Sequence, residues 1–205
     1  MIDHSPAADR NKQPILDLLR RVLPERATVL EIASGTGQHA EWFAQEMPAW
    51  TWQPTDANEG ALPSIATRIS QAALANVRAP LLLDVMAPTW PSQGPAFSIR
   101  FDAIFCANML HISPWATCAA MMRGAARTLT PGGLLVTYGP YLEDDFPTSP
   151  GNLAFDQSLR QRDPSWGIRR VEDVKREAHA EGLTLRERHA MPANNLLLVF
   201  ALGTA

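Results

Sequence analysis

A glycine turn between a short buried run and a helix constrains this chain more than any other stretch. Thr28-Val29-Leu30-Glu31-Ile32 is an apolar run with one acid, the pattern of a parallel strand covered on both faces. It stops in Ala33-Ser34-Gly35-Thr36-Gly37, and from Gln38 the apolar residues Ala40, Phe43, Ala44 and Met47 fall at helical spacing. Glycine lets the backbone take positive φ and come close to a ligand. The helix that follows turns free N–H groups and a positive dipole end toward that ligand. Strand, glycine turn and helix thus open a nucleotide-binding unit; the alternative is a tight turn that only packs helix on strand.

Two ligand chemistries compete for the turn. Gly35-x-Gly37-x-x-Ala40 satisfies the dinucleotide fingerprint, with Asp56 placed to hold a ribose. Glu31 weighs against a pyrophosphate, which its carboxylate would repel, and suits a ligand with a cationic amine or sulfonium. A second strand, Trp50 to Asp56, ends in an acid that either accepts ribose hydroxyls or caps the next helix. A helix over about 63–74 leads to a third apolar run, Ala79 to Val85, which carries Asp84 at its end. Glu31, Asp56 and Asp84 therefore fall at the carboxyl ends of three successive strands, the edge that lines the ligand crevice of an open α/β sheet.

Glu31 followed by x-Ala33-x-Gly35-x-Gly37 resembles the first motif of the class I S-adenosylmethionine (SAM)-dependent methyltransferases, an acid followed by x-Gly-x-Gly-x-Gly. Ala33 stands where that family has its first glycine. The resemblance implies a Rossmann-like α/β fold: a seven-stranded, mostly parallel sheet with a C-terminal antiparallel hairpin strand and helices on both faces. It implies SAM as cofactor, with S-adenosylhomocysteine as product. Glu31, Ala33, Ser34, Gly35, Gly37 and His39 would form the cofactor turn, Asp56 would meet the ribose and Asp84 the adenine amino group. Val85 would offer its backbone N–H to the ring, Asn108 and Met109 would lie at the fourth motif, and Arg10 would meet the cofactor carboxylate.

The rest of the chain extends this pattern. Ser5-Pro6 caps a helix to about Leu23, and Pro14 divides its apolar face. A Pro- and Gly-rich loop over 86–98, with room for one helical turn, precedes a fourth strand, 100–107. Asn108-Met109-Leu110-His111-Ile112 follows, and His111 is the candidate base, since histidine titrates near neutral pH; a structural role is the alternative. Ser113-Pro114 starts a helix to Leu129. Thr130-Pro131-Gly132-Gly133 turns it into a fifth strand with Tyr138, a second proton acceptor, and Gly139-Pro140-Tyr141 ends that strand at the site face, with Tyr141 a candidate substrate contact. Leu-x-Pro-Gly-Gly before that strand is a further hallmark of the resembled family.

Residues 142–168 are polar and too long for an ordinary connection, which suggests a lid or substrate insert; Arg160 and Trp166, with the adjoining Arg169, would grip an anionic or aromatic acceptor. A packed excursion with salt-bridged arginines is the alternative. A helix over 171–181 leads to a closing hairpin, Leu183–His189 and Asn195–Phe200. Its turn brings Asn194 and Asn195 to the crevice edge, or simply uses them for left-handed backbone. Ser-Pro-Ala-Ala-Asp-Arg-Asn-Lys, Glu-Ile-Ala-Ser-Gly-Thr-Gly-Gln-His, Asn-Met-Leu-His-Ile, Tyr-Gly-Pro-Tyr and Pro-Ala-Asn-Asn together resemble a small family of methyltransferase-like proteins of unknown function in bacteria and animals.

A net charge of −3 without a basic run argues against nucleic acid as the partner. No apolar run is long enough to span a membrane, and the N-terminus lacks the charged and apolar regions of a secretory signal. Cys106 and Cys118 form no metal-ligand spacing and read as free thiols of a reducing cytoplasm, so no metal is expected. The expectation is one cytoplasmic SAM-dependent methyltransferase domain over 1–205, monomer or homodimer, with a helical cap over about 1–24 and an insert over about 142–168. It would methylate a nitrogen or oxygen of a small molecule. A non-catalytic SAM-binding protein and an NAD-dependent oxidoreductase are the alternatives.

Overall fold

The computed structural model describes residues 4–204; Met1, Ile2 and Asp3 of the expected cap, and Ala205, lie outside them. Six helices and eight strands follow in the order α1 (Pro6–Val22), β1 (Ala27–Ile32), α2 (Gln38–Glu46), β2 (Trp50–Asp56), α3 (Leu62–Gln71), β3 (Leu81–Leu82), β4 (Phe101–Ala107), α4 (Ala116–Thr128), β5 (Leu129–Leu142), α5 (Pro150–Arg162), β6 (Arg169–Arg170), α6 (Val171–Ala180), β7 (Leu183–Met191) and β8 (Asn195–Leu202). Short 3-10 turns lie at Glu59–Ala61, Leu110–Ile112 and Pro192–Asn194.

The sheet runs β3-β2-β1-β4-β5-β8-β7, with the two-residue β6 beside β5. β1 through β5 pair parallel, and β8 is antiparallel to both β5 and β7. This is the α/β Rossmann-like methyltransferase fold, with its reversed final strand inserted between β5 and β7. Because β8 opposes both of its neighbours, β7 runs with the parallel strands, and the Pro192–Asn194 turn reaches the same edge as the ends of β1, β4 and β5.

Strand alternation sorts the core into two layers. Val29, Phe105, Val136 and Leu197 face α1, α2 and α3, where Ile15, Leu16, Leu19, Phe43 and Ile65 are fully buried. Leu30, Ile104, Leu135 and Leu198 face α4 and α6 and meet Met121, Met122, Val174 and Ala178.

Four local readings change. α1 continues through Pro14 rather than splitting there, because Ile15, Leu16 and Leu19 bury that side. The third strand contracts to Leu81–Leu82, and Asp84 lies beyond it. Residues 86–98 hold no helical turn. The polar stretch after β5 contains helix α5, capped by the Ser149 hydroxyl, which accepts from Asn152 N.

Candidate active site

Three residues of the glycine turn take positive φ: Ala33 (57°), Gly35 (56°) and Gly37 (73°). The two glycines serve different ends. A Cβ on Gly37 would lie 3.2 Å from Ile65 Cγ2, so Gly37 lets α2 pack closely on α3. A Cβ on Gly35 would meet nothing within 4 Å, so this backbone faces open crevice. The turn is bound to the end of β2: Ser34 N donates to Thr55 O (2.8 Å), Thr55 N to Ser34 Oγ (3.1 Å) and Gly35 N to Asp56 Oδ2 (2.8 Å). Asp56 Oδ1 accepts from Asn58 N (2.9 Å), so this carboxylate orders two backbones and stays partly open to solvent.

Glu31 lies beneath the turn and is 1% exposed. Its Oε2 accepts from Trp52 Nε1 (2.8 Å), and the Ser34 hydroxyl also bonds its carboxylate. Burial outweighs these neutral donors and the Asp56 charge adds to it, so the carboxyl pKa rises from 4.5 to about 7. The groups acting on it include no cation.

Asp84 is exposed; its Oδ1 accepts from Met86 N (2.9 Å), and its own N–H donates to Ser92 Oγ (2.7 Å). Val85 is buried, and its carbonyl accepts weakly from Trp90 Nε1 (3.4 Å). Asn108 ends β4 with φ 58° and donates its N–H to Tyr138 O (2.8 Å). Met109 packs at the edge of the α4 layer.

The N-terminal segment closes over this edge through side chains that bond backbone. Gln38 Oε1 accepts from Ser5 N (2.5 Å), and Gln38 Nε2 donates to Ser5 O (3.3 Å). Asn11, buried on α1, bonds His39 Nε2 through its Oδ1 (2.7 Å) and also bonds the Tyr138 hydroxyl. His39 stacks on Phe43 at 5.4 Å, and burial lowers its pKa from 6.5 to about 4. His39 is therefore a neutral strut behind the turn.

Between this segment and the sheet edge lies a cavity of about 470 Å³. Arg10 and Asn11 wall one side, Asn108, His111 and Tyr138 the floor, and Asn152, Phe155 and Asn195 the far side. The imidazole of His111 makes an edge contact with the Phe155 ring at 5.5 Å. Burial first, then the Arg169 charge, lowers its pKa from 6.5 to about 4, so it is neutral at pH 7. Burial raises the Tyr138 hydroxyl above its usual value.

The remaining predicted substrate residues are placed elsewhere. Tyr141 is on the opposite face of β5, buried, with its hydroxyl donating to Thr137 Oγ1 (2.8 Å); three residues from Tyr138, it has the other parity. Arg160 Nε donates to Asp156 Oδ2 (2.8 Å), and Trp166 carries the Arg162 guanidinium at 5.0 Å; neither lines this cavity. Asn194 does not line it either. It caps α5, its Oδ1 accepting from Ser149 N (3.0 Å) and its carbonyl from Asn152 Nδ2 (2.8 Å). Asn152, Ile112 and Pro140 were not singled out from sequence, though Ser149-Pro150 is the same cap signal as Ser5-Pro6 and announces the helix that presents Asn152.

Solved structures share this fold. A protein of Burkholderia thailandensis from an O-methyltransferase family superposes with a TM-score of 0.77 at 18% identity, over 97% of this chain and 58% of its own. A methyltransferase of calicheamicin biosynthesis, in its S-adenosylhomocysteine-bound form, gives 0.73 at 13% over 97% and 55%. A protein of Bacillus halodurans C-125 assigned as a methyltransferase gives 0.70 at 18%, over 92% of this chain and 99% of its own. The chain spans little more than half the length of the first two. Over residues 3–202 it matches the family described as "Protein of unknown function (DUF938)", and it belongs to that family.

Proposed function

We propose that this protein is a SAM-dependent methyltransferase that transfers a methyl group to a nitrogen or oxygen of a small-molecule acceptor. The observation that carries the reading is Glu31, a carboxyl buried directly under a glycine turn with only neutral donors for company. A cationic amine or sulfonium placed above it supplies the missing counter-charge, whereas a pyrophosphate meets repulsion. The open face at Gly35 leaves room for that ligand. Glu31 and the 33–37 turn would hold the amino-acid end of the cofactor with Arg10 near its carboxylate. Asp56 would hold the ribose, Asp84 and Val85 the adenine, and Asn108 and Met109 would lie beside the transferable methyl, with His39 bracing the turn.

The cofactor supplies an activated methyl; the chain's own contribution is to align the acceptor and exclude water. The Asn108, Asn152 and Asn195 carboxamides orient the acceptor, Phe155 covers it, and neutral His111 or Tyr138 takes a hydrogen bond from a protonated nucleophile. The N-terminal segment and α5 act as covers of one domain. The buried free thiols Cys106 and Cys118 suit the cytoplasm. Among the described residues no helix is long and apolar enough to cross a membrane, and no cluster of three metal-ligating side chains occurs.

Calorimetric titration with SAM, S-adenosylhomocysteine and NAD tests this, with an Asp56→Ala variant in parallel. Micromolar binding of the first two, weakened in the variant and absent for NAD, is expected. Absence of SAM binding, or preference for NAD, overturns the reading.

A further inference from the structure

A second cavity, about 290 Å³, shares no lining residue with the acceptor cavity. Three of its lining residues are arginines, Arg160, Arg169 and Arg170; the others are Trp115, two aliphatic residues and Asp173. Asp173 is already engaged, accepting from Arg176 (2.7 Å). Arg160 pairs with Asp156, and Arg170 with Asp144. Arg169 differs: among the described residues it has no ion pair. It spends its donors on carbonyls, Nε to Leu110 O (3.0 Å) and one terminal nitrogen to Ser113 O (2.6 Å) and Ser165 O (2.8 Å), with its plane over Trp115 at 5.5 Å. A guanidinium has five N–H groups, so all three arginines keep donors for another group.

A second feature points the same way. α6 starts at Val171, and no side chain caps its N-terminus; the preceding Arg170 lines the cavity, as does Asp173 in the first turn. Uncapped N–H groups favour an anion there, the first-turn acids Glu172 and Asp173 being paired with Lys175 and Arg176. Burial and the charge of Arg160 both disfavour the protonated form of Arg169, a cost an anion would relieve.

We propose that this cavity binds a phosphate-class anion, free or as a monoester on a small molecule, at a site separate from the cofactor crevice. The planar forks of Arg160, Arg169 and Arg170 match tetrahedral oxyanions. Arg169 also ties Leu110 to Ser113, and Gly167 N donates to His111 O (3.0 Å), so a bound anion braces the turn that carries His111.

The test is calorimetric titration of the full chain with inorganic phosphate and, separately, glycerol phosphate, at ionic strength matched with chloride. The same titrations use an Arg160→Gln/Arg170→Gln variant, whose exposed side chains leave the Arg169 backbone clamp intact; a thermal melt confirms that it folds. Saturable binding is expected, weakened ~10-fold or more in the variant and unchanged by saturating S-adenosylhomocysteine. Binding of phosphate alone assigns a free anion, and tighter binding of the ester assigns a monoester. A nuclear magnetic resonance shift of the His111 ring on phosphate addition checks the bracing. No saturable binding of either probe, equal binding by the variant, or competition with S-adenosylhomocysteine overturns the proposal.

Discussion

Glu31→Gln separates the charge of this residue from its shape. The folded carboxyl titrates near 7 and the unfolded one near 4.5. A raised folded pKa means that the native state holds its proton more tightly. The resulting stability is fully present below 4.5 and is lost as pH rises through 7. Linkage over that window amounts to roughly 2.5 kcal/mol between about pH 5 and about pH 8. This follows from about 1.4 kcal/mol for each pH unit separating the folded from the unfolded titration, less the incomplete titration at each end. Gln keeps an oxygen for Trp52 Nε1 but reverses the Ser34 bond, a cost of about 1 kcal/mol at any pH. Urea unfolding of both proteins without cofactor, at the two pH values, gives the comparison. Stability of the variant relative to wild type is expected to improve by roughly 2.5 kcal/mol on going to about pH 8. Other groups titrate alike in both proteins and cancel. A relative stability flat to within ~0.5 kcal/mol would refute the argument that Glu31 is an uncompensated buried acid.

His39 and His111 have folded pKa values lowered from 6.5 to about 4, so the stability linked to their neutral forms is present above pH 6.5 and lost as pH falls toward 4. His39→Gln, which keeps a partner for Asn11, should therefore flatten the acid limb of a stability-versus-pH curve; an unchanged limb would show that His39 does not titrate as a buried neutral group. Gly37→Ala combines a φ of 73° with a Cβ 3.2 Å from Ile65 Cγ2 and should cost roughly 2–3 kcal/mol in urea unfolding. Gly35→Ala meets only the φ cost, roughly 1 kcal/mol, yet places a methyl in the crevice, so it should weaken SAM binding far more than folding. Equal losses in both assays for the two variants would remove the distinction drawn between them.

Local chemistry explains what the sequence made readable. The Thr28–Ile32 run, the glycine turn, the Ser-Pro caps and the closing hairpin are patterns a few residues long, and they produced β1, α2, α1 and the β7–β8 pair where expected. α5 escaped because its apolar residues Leu153, Phe155 and Leu159 make no continuous face; only Leu159 is buried. Ala33 adopts φ 57° although it carries a Cβ, because Ser34 and Gly35, which follow it in the turn, are tied to Thr55 and Asp56. That constraint is tertiary and leaves no local mark.

The cavity under the N-terminal segment shows why site residues are harder to read than strands. Its walls come from five segments remote in sequence, near residues 5–11, 108–112, 138–140, 152–155 and 192–195. What brings them together is a set of polar side chains that bind backbone and do not line the cavity themselves. Gln38 grips both sides of Ser5, Asn194 holds Ser149 and Asn152, and Arg169 holds Leu110 and Ser113. Residue type alone leaves Asn194, Arg160 and Arg169 open to a ligand or a structural role, since a carboxamide or a guanidinium serves a substrate and a carbonyl equally well. Geometry divides the labour. Asn194 and Arg169 fix the frame, whereas His111 and Asn195, equally visible in the sequence, face the space that the frame encloses, together with Asn152, which is not.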